Sequence, residues 1–423
     1  MYRNAVSTRF SLLPAALIVF GVCTAVADDW PQFQGPDRNG MSSETGLART
    51  WPASGPKKVW SIPLGEGFAG PAIRDGEVFI LDRTQFEQDV LRVLSLDTGE
   101  ELWTYSYHAP GEVSFNGSRT TPTVTEKYVF TVGMMGQFHC IDRTTHEPVW
   151  SKNLLEDFKG ADIGHWGVTQ SPSLYKDLVI VAPQAPNAFV VAFKQVTGEI
   201  VWKSKGIGNR GYSTPVIETI GGVDQALMIG QDQTVGISME DGSILWSYDG
   251  WNCRIPIPYP TLLPDDRVFL TGEYGAGSAM IQIVSNGGQF VVEELFKTDA
   301  CGSQIHEPLF YDNHLYMNSN GNRRSDGMLC LTLDGEVRWK TKDNKELPRF
   351  QRGNLLMADE MIISLDGGKG TLHLIEPSPQ AFKQLAVAQI GEDKQSWSPM
   401  ALSNGKLLVR DFDEMFCLDL RNP

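Results

Sequence analysis

The stretch that decides the fold is written three times along the chain. "DTGEELW" occupies residues 97–103, "VTGEIVW" residues 196–202 and "EDGSILW" residues 240–246. In each copy a glycine stands where a tight turn requires a positive φ, and the strand that follows ends on tryptophan. Because another short strand precedes the turn, as in "VLRVLSL" at 90–96, each copy predicts a β-hairpin.

The tryptophan position recurs along nearly the whole chain, at intervals of 43 to 52 residues. Its occupants are Trp60, Trp103, Trp150, Trp202, Trp246, Phe296, Trp339 and Leu385. A proline that opens a strand keeps the same phase, as in "TPTV" at 121–124 and "SPSL" at 171–174, and a further strand lies between the two markers. Four strands in about 45 residues are typical of one blade of a β-propeller, whose large aromatic side chain packs against the neighbouring blade.

The two ends of the repeat predict how the ring closes. The last unit has three strands, "SPMAL", "KLLVR" and "MFCLDL", whereas the first tryptophan strand, "KKVWSI" at 57–62, has no earlier strands of its own. We therefore predict an all-β fold, an eight-bladed β-propeller of four-stranded blades, in which the N-terminal strand closes the last blade and removes a free sheet edge. The domains are a signal peptide at 1–27, an N-terminal arm at 28–56, expected across the outside of the ring, and the propeller at 57–423.

Residues 1–27 have the build of a secretory signal peptide. Arg3 and Arg9 precede the apolar run "FSLLPAALIVFGVC", and "AVA" at 25–27 is a cleavage site of small residues. We expect cleavage after Ala27 and a secreted or periplasmic protein. A lipoprotein anchored at Cys23 is the alternative, although Val22 stands where that signal carries a small residue. No other stretch is apolar enough to span a bilayer.

Charge and cysteine content restrict the classes of partner and metal. The formal net charge of −15 argues against nucleic acid or anionic lipid as a partner. Five cysteines follow the signal peptide, an odd number that cannot pair fully within one chain: Cys140, Cys253, Cys301, Cys330 and Cys417. We expect buried thiols, with a Cys253–Cys301 disulfide as the alternative. No cysteine and histidine spacing is typical of a zinc site.

The hairpin pattern D-x-T-G-x-x-x-W, with its proline-opened inner strand, resembles the pyrroloquinoline-quinone-type repeat. The resemblance covers residues 57–420 and implies membership of the quinoprotein alcohol dehydrogenase-like superfamily of eight-bladed propellers. "RTTPTV" at 119–124, "HWGVTQSPSL" at 165–174 and "DWPQFQGPDRNG" at 29–40 are also similar to secreted bacterial propellers of this type. The superfamily contains quinone-dependent dehydrogenases and non-enzymatic scaffolds of the BamB type, so the repeat specifies a fold and not an activity.

The dehydrogenases of that superfamily imply a recognisable set of residues. In them the quinone lies between a tryptophan and two adjacent cysteines, while Ca²⁺ bridges the quinone and carboxylate and amide side chains. This sequence has no Cys-Cys pair, and no local motif matches the calcium ligands or the catalytic base. Pyrroloquinoline quinone with Ca²⁺ therefore stays an alternative, and we assign no catalytic residue, metal ligand or cofactor.

The segments that lead into the inner strands should surround one mouth of the central channel. They carry polar and aromatic residues at similar blade positions: Arg119, His165, Trp166, Gln170, Arg210, Tyr212, Arg254, Gln304, His306, Glu307, Arg352 and Trp397. Several arginines beside aromatic rings in an acidic protein predict a locally positive funnel that suits a small anionic or sugar-like ligand. The alternative is that these side chains bond one another, backbone carbonyls and trapped water.

Two functions from different classes follow from these observations. The first is a monomeric binding or scaffold protein, with envelope proteins or a small polar ligand as partners and no nucleic acid. The second is a quinoprotein-like oxidoreductase, a dehydrogenase that depends on pyrroloquinoline quinone and acts on an alcohol or a sugar. The missing vicinal cysteines favour the first, in which the chain is not an enzyme.

Overall fold

The strand pattern of the sequence is realised as eight antiparallel sheets of four strands each. The computed structural model describes Met1 and residues 29–208, 210–392 and 395–421. All of the predicted signal peptide after Met1, with Cys23 and Ala27, therefore lies outside the described residues. Inner strands of neighbouring sheets contact one another, which places them around a common axis. The predicted eight-bladed β-propeller is thereby confirmed.

The strands of each blade follow one another outward from the axis. In blades 1 to 4 they are Ala72–Arg74, Glu77–Thr84, Gln88–Ser95 and Glu101–His108; Thr123–Val124, Tyr128–Val132, Gln137–Asp142 and Pro148–Asn153; Ser173–Tyr175, Leu178–Val181, Val191–Lys194 and Ile200–Lys203; Val216–Ile220, Val223–Ile229, Thr234–Ser238 and Ile244–Tyr248. In blades 5 to 8 they are Thr261–Leu263, Arg267–Gly272, Gly277–Asn286 and Gln289–Thr298; Leu309–Tyr311, His314–Asn320, Ser325–Thr332 and Val337–Lys340; Leu355–Ala358, Met361–Asp366, Thr371–Glu376 and Lys383–Gln389; Ala401–Ser403, Lys406–Arg410, Glu414–Asp419 and Lys57–Pro63. Among the described residues, helical structure is confined to Leu154–Asp157 and a 3₁₀ turn at Thr341–Asp343.

The N-terminal strand closes the ring as the sequence predicts. Lys57–Pro63 pairs antiparallel with Glu414–Asp419, and Trp60 lies opposite Cys417. The last blade thus combines strands from both ends of the chain, which removes the free edge that three strands would leave.

The repeated glycine and tryptophan are the two halves of one contact between blades. The Trp202 indole of blade 3 lies over Gly242 in the turn of blade 4, and its Nε1 donates to the Met239 carbonyl at 3.0 Å. Trp150 makes the same contact with Gly198 of blade 3. At Gly242, φ is +77°, so the turn favours glycine for its backbone as well as for the ring above it. The heptads therefore repeat because each blade must dock on the next one.

Residues 30–42 of the N-terminal arm lie inside the ring, whereas residues 47–55 run outward over blades 8 and 7. Trp30 exchanges backbone hydrogen bonds with Ile73 of the innermost strand of blade 1, at 2.9 and 2.8 Å, and Val124 of blade 2 donates to the Pro31 carbonyl. On the far side of the ring, Met357 of blade 7 donates to the Gly40 carbonyl. For residues 30–42 the expectation from sequence is wrong because the innermost strands are open sheet edges, whose free backbone groups the arm satisfies.

The cysteines form no disulfide among the described residues. Cys140, Cys253, Cys301, Cys330 and Cys417 are all free and buried. Cys253 Sγ lies 3.6 Å from the Glu273 carbonyl, whereas Cys301 Sγ lies 3.3 Å from Ser278 Oγ, so each thiol has its own polar neighbour. The alternative of a Cys253–Cys301 disulfide is thereby wrong. Within the described residues, no helix combines the length and the apolar character needed to cross a membrane.

Candidate functional site: a blind cavity at the channel mouth

The segments that lead into the inner strands enclose a cavity of about 270 Å³ at the channel mouth. Aromatic and aliphatic side chains form most of its wall, and two arginines, one histidine and a few amides and hydroxyls complete it. The lining residues are Phe33, Phe68, Phe115, Arg119, Trp166, Thr169, Tyr212, Thr214, Ile255, Ile257, Tyr274, Gln304, Ile305, His306, Asn322, Arg352, Trp397 and Pro399. Phe33 belongs to the arm, which therefore closes the inner end of the cavity and makes it blind.

One side of the cavity is a run of aromatic rings with an arginine at each end. The Arg352 guanidinium lies 5.1 Å from the centre of the Trp397 ring, and Trp397 stacks on Phe68 with ring centroids 5.5 Å apart. The Arg119 guanidinium in turn lies 5.3 Å from the centre of the Phe68 ring. Such cation–π contacts hold a guanidinium in place.

Hydrogen bonds fix both guanidinium groups further. Arg119 donates to the carbonyls of Ser114, at 2.7 Å, and Phe115. Arg352 Nε donates to Gln304 Oε1 at 2.6 Å, and Gln304 donates onward to the Tyr274 hydroxyl at 2.8 Å. Burial lowers the pKa of Arg119 to about 10, which is still high enough to keep this group cationic at neutral pH. Burial also lowers the pKa of Arg352.

His306 and Glu307 turn to opposite sides of the chain, as the alternation of an extended segment requires. His306 lies on the cavity wall with 4% of its surface exposed, and burial lowers its pKa to about 4. Glu307 accepts hydrogen bonds from the Tyr259 backbone N–H at 3.0 Å and from Gln34 of the arm at 2.9 Å. The two residues therefore form no acid/base pair, and Glu307 anchors the arm.

The structure brings seven of the twelve predicted residues onto the cavity wall: Arg119, Trp166, Tyr212, Gln304, His306, Arg352 and Trp397. His165 and Arg254 line an adjoining opening of about 500 Å³, which shares Trp166 and Tyr212 with the cavity. A ligand role for the residues on these two walls stays a prediction.

The remaining three predicted residues hold the surrounding segments together. Gln170 donates to the Gly211 carbonyl at 3.0 Å, and Arg210 pairs with Asp162 at 3.1 Å. Glu307 binds the arm, as described above. The contacts of these three residues agree with the alternative given above, in which the polar side chains bond other protein groups and not a ligand.

Sequence reasoning missed several aromatic and polar residues of the wall. Phe68 lies in "GEGFAG" at 65–70, and its phase before the proline marker matches the other lead segments, so that signal was present. Tyr274 and Asn322 come from turns inside blades 5 and 6, and Phe33 comes from the arm. No periodic signal marks these three, because their segments stand outside the repeated lead.

The side chains of the wall fit one part of the quinone and calcium pair that the resemblance implies, and not the other. Aromatic rings and arginines suit a flat, carboxylated ring. Calcium requires several oxygen ligands, chiefly carboxylates, but none of the side chains found on this wall is an aspartate or a glutamate. The described residues also contain no cluster of three or more histidine, cysteine, aspartate or glutamate side chains suited to a metal. The residues present thus fit a planar anion and do not fit its calcium ion.

Comparison with known proteins agrees with the geometry of the fold. Residues 87–250 match the family described as outer membrane protein assembly factor BamB. The crystal structure of BamB from Moraxella catarrhalis has a TM-score of 0.59 and 14% identity, over 87% of this chain and 98% of that one. No curated protein sequence matches the chain.

Two dehydrogenase structures match over a similar extent. The quinohemoprotein alcohol dehydrogenase ADHIIG from Pseudomonas putida HK5 has a TM-score of 0.61 and 11% identity, over 93% of this chain and 80% of that one. The enzyme from Comamonas testosteroni has a TM-score of 0.60 and 12% identity, over 93% and 81%. At such identities the likeness concerns the fold, which is that of both the assembly factor and the dehydrogenases. The chain is an eight-bladed β-propeller that is similar in fold to BamB and to the quinohemoprotein alcohol dehydrogenases, and its residues 87–250 match the BamB family.

Proposed function

We propose that the protein is a binding protein of the cell envelope, whose channel mouth holds a small polar or anionic ligand. The observation that carries the proposal is the blind cavity of about 270 Å³, with two cationic arginines set among aromatic rings. A concave, largely apolar site with a few convergent polar groups is the usual form of a small-molecule site.

The charge balance of the cavity supports an anionic ligand. Other buried or partly buried arginines have acidic partners, as in Arg83 with Asp89 at 2.7 Å and Arg324 with Asp326 at 2.8 Å. Within the described part of the chain, neither Arg119 nor Arg352 has a carboxylate in salt-bridge range. Partly desolvated charges without a counterion are unfavourable, so an anion in the cavity would gain from both groups.

A scaffold role with envelope proteins as partners is the second part of the proposal. It is supported by the N-terminal sequence, which has the features of a secretory signal peptide, and by the match of residues 87–250 to a family named for outer membrane protein assembly. The ring offers a rigid surface for such contacts, and the cavity lies at one of its ends.

The oxidoreductase alternative makes a different prediction about calcium. A quinone held for catalysis as in the dehydrogenases would need Ca²⁺, whereas the cavity wall offers arginines and rings but no carboxylate side chain among the described residues. We therefore expect a flat anionic ring to bind here without help from Ca²⁺.

The test is a titration of tryptophan fluorescence with pyrroloquinoline quinone, with and without Ca²⁺. Trp166 and Trp397 lie on the wall, so we expect saturable quenching at micromolar quinone that is the same in both series. Arg352→Ala should weaken binding roughly 10-fold or more, the usual effect of losing a charged hydrogen bond. Arg338→Ala, which removes an exposed arginine of blade 6, is the matched control and should bind as the wild type does.

The outcomes separate the two functions. Binding that requires Ca²⁺ would favour the oxidoreductase, and dye-linked assays on alcohols and sugars would follow. Quenching that does not saturate, or that Arg338→Ala and Arg352→Ala weaken equally, would contradict a ligand site at the channel mouth.

A further inference from the structure

We infer that the ligand of the channel mouth is an acidic oligosaccharide, whose chain of sugar rings lies across the mouth with one ring inside the cavity. This inference rests on the proposed function and deepens it, because it names the class of the ligand. It depends on the shape of the mouth, on the charge of its walls and on the groups that those walls leave accessible.

The cavity is the middle part of a continuous groove. Near blades 7 and 8 it adjoins an opening of about 380 Å³, with which it shares Arg352 and Trp397. Near blades 4 and 5 it adjoins the opening of about 500 Å³, with which it shares Trp166 and Tyr212. These blades are far apart around the ring, so the two openings lie on different sides of the cavity. Each opening has the size of a small-molecule site, roughly 300–1,000 Å³, and the groove therefore has room for a chain of several rings.

The walls of the groove differ in charge from the protein as a whole. The chain has a formal net charge of −15, yet among the described residues no aspartate or glutamate lines the cavity or either opening. Arg352 lies between the cavity and the first opening, and Arg254 lies in the second. Positive groups at two separate places favour a ligand with anionic groups at intervals along a chain.

Both arginines have nitrogens that a ligand can reach. Arg352 donates from Nε to Gln304 at 2.6 Å and from Nη2 to Asn322. Its Nη1 has no partner in the described part of the protein and is not enclosed by it. Arg254 is an exposed residue. Because hydrogen bonds from arginine to a carboxylate are among the strong ones, two uronate rings of one chain would each gain from one of these residues.

The remaining side chains of the groove suit sugar rings. A sugar ring has a face of C–H groups and a rim of hydroxyls that both donate and accept. Phe115, with 51% of its surface exposed, and the half-buried Trp166 and Trp397 offer aromatic faces to the C–H groups. The exposed amides of Gln351 and Gln395 line the first opening, and an amide also both donates and accepts.

Three residues of the cavity wall have a left-handed backbone. The φ angles are +55° at Phe115, +62° at Tyr274 and +50° at Arg352. Bulky side chains rarely adopt such angles, and strain of this kind is found at ligand sites, where the surrounding structure maintains it. All three line the cavity, so the strained positions coincide with the place of the inserted ring.

An extended peptide is the other chain molecule that such a groove could hold. Peptides commonly bind a sheet by adding to a free strand edge through backbone hydrogen bonds. Here the arm already pairs with the inner strands of blades 1, 2 and 7, at Ile73, Val124 and Met357. The groove offers side chains in place of strand edges, which favours an oligosaccharide over a peptide.

The test is calorimetry with uronate oligosaccharides of one to four rings. Mannuronate, glucuronate and galacturonate chains are each compared with the neutral oligosaccharide of the same ring and linkage, which carries CH₂OH in place of the carboxylate. We expect at least one acidic series to bind, with an affinity that rises about 10-fold or more from monomer to trimer. The neutral counterpart should bind about 10-fold or more weakly than the acidic trimer.

Arg254→Ala tests the length of the site. It removes an exposed side chain and keeps the backbone carbonyl that accepts a hydrogen bond from Gln231. The gain in affinity from monomer to trimer should fall roughly 10-fold in this variant, whereas Arg352→Ala should weaken the binding of every uronate. Arg338→Ala, which removes an arginine paired with Glu336 on the outer strand of blade 6, is the matched control and should bind as the wild type does.

The outcomes distinguish the inference from the proposed function. Equal affinity for monomer and trimer, or for acidic and neutral chains, would overturn the inference and leave a small-ligand site in place. Tetraglutamate that binds more tightly than every uronate would overturn it in favour of a peptide. If no uronate binds although the quinone does, the inference alone fails. If neither binds, the proposed function fails as well.

Discussion

The docking of tryptophan on glycine between blades allows a prediction whose size comes from the structure. A Cβ added at Gly242 would lie 2.7 Å from Cε3 of Trp202, closer than real contacts allow. Gly222, in another turn of the same blade, has nearly the same backbone, with φ of +79° against +77°, and a Cβ there would meet nothing within 4 Å. Gly242→Ala and Gly222→Ala thus share the backbone strain and differ in the contact with the Trp202 ring and, at 3.2 Å, with the backbone of Lys203.

The expected magnitudes follow from these two terms. A left-handed backbone costs an alanine about 1–2 kcal/mol relative to glycine, and we expect this loss of stability in both variants. Overpacking against a well-packed side chain adds about 1–3 kcal/mol, which applies to Gly242→Ala alone. The free energy of unfolding of Gly242→Ala should therefore fall below that of Gly222→Ala by about 1–3 kcal/mol.

The assay is equilibrium unfolding in urea, followed by fluorescence and far-UV circular dichroism, whose transitions should coincide if one free energy is to be derived. A double-mutant cycle isolates the contact with the ring, because in a Trp202→Ala background Gly242→Ala should lose only the backbone term and the smaller contact with Lys203. Equal losses for the two glycine variants, or an unchanged loss for Gly242→Ala in the Trp202→Ala background, would refute the docking argument.

Two further predictions concern the arm. Burial raises the pKa of Glu307 to about 7, above the value of 4.5 expected in the unfolded chain. Because the folded state binds this proton more tightly, the contribution of Glu307 to the free energy of unfolding is complete below pH 4.5. It is lost as the pH rises to about 7, by up to about 3 kcal/mol. Glu307→Gln should flatten this fall, and urea titrations at pH 5 and pH 8 measure it; an unchanged fall would contradict the reasoning. Trp30, with 1% exposure, holds the arm against blade 1. Trp30→Ala should therefore lower the free energy of unfolding by about 3–5 kcal/mol. A loss below about 1 kcal/mol in the same urea titration would show that the arm is not packed as described.

Much of the fold was predictable because its signals are local. The glycine turn and the tryptophan strand lie within seven residues of each other, as at 196–202, and each blade repeats them because each interface needs the same contact. Closure by the strand at 57–63 followed from counting strands at the two ends. The position of the arm was not predictable, since its partners, such as Ile73 and Met357, are far apart in sequence and meet only in the closed ring.

The candidate site was predictable in part. The lead segments were identified from their phase before the proline markers, and Arg119, Arg352 and Trp397 lie on the cavity wall as a result. The phase alone did not distinguish them from Gln170 or Arg210, which bond neighbouring segments instead. The direction in which a loop side chain points depends on the neighbouring blades. The repeat pattern of the sequence does not indicate that direction.

The sequence by itself determined the eight blades, their order and the end of the channel that carries the arginines, because the hydrophobic and turn patterns of a blade are written within its own residues. Only the tertiary structure decided that the arm closes the cavity with Phe33, that His306 lies on the cavity wall while Glu307 binds Gln34, and that Asn354 contacts both His306 and the backbone of Met400. The physical reason is that these features depend on hydrogen bonds and contacts between segments that are distant in sequence, which form only when the ring is closed.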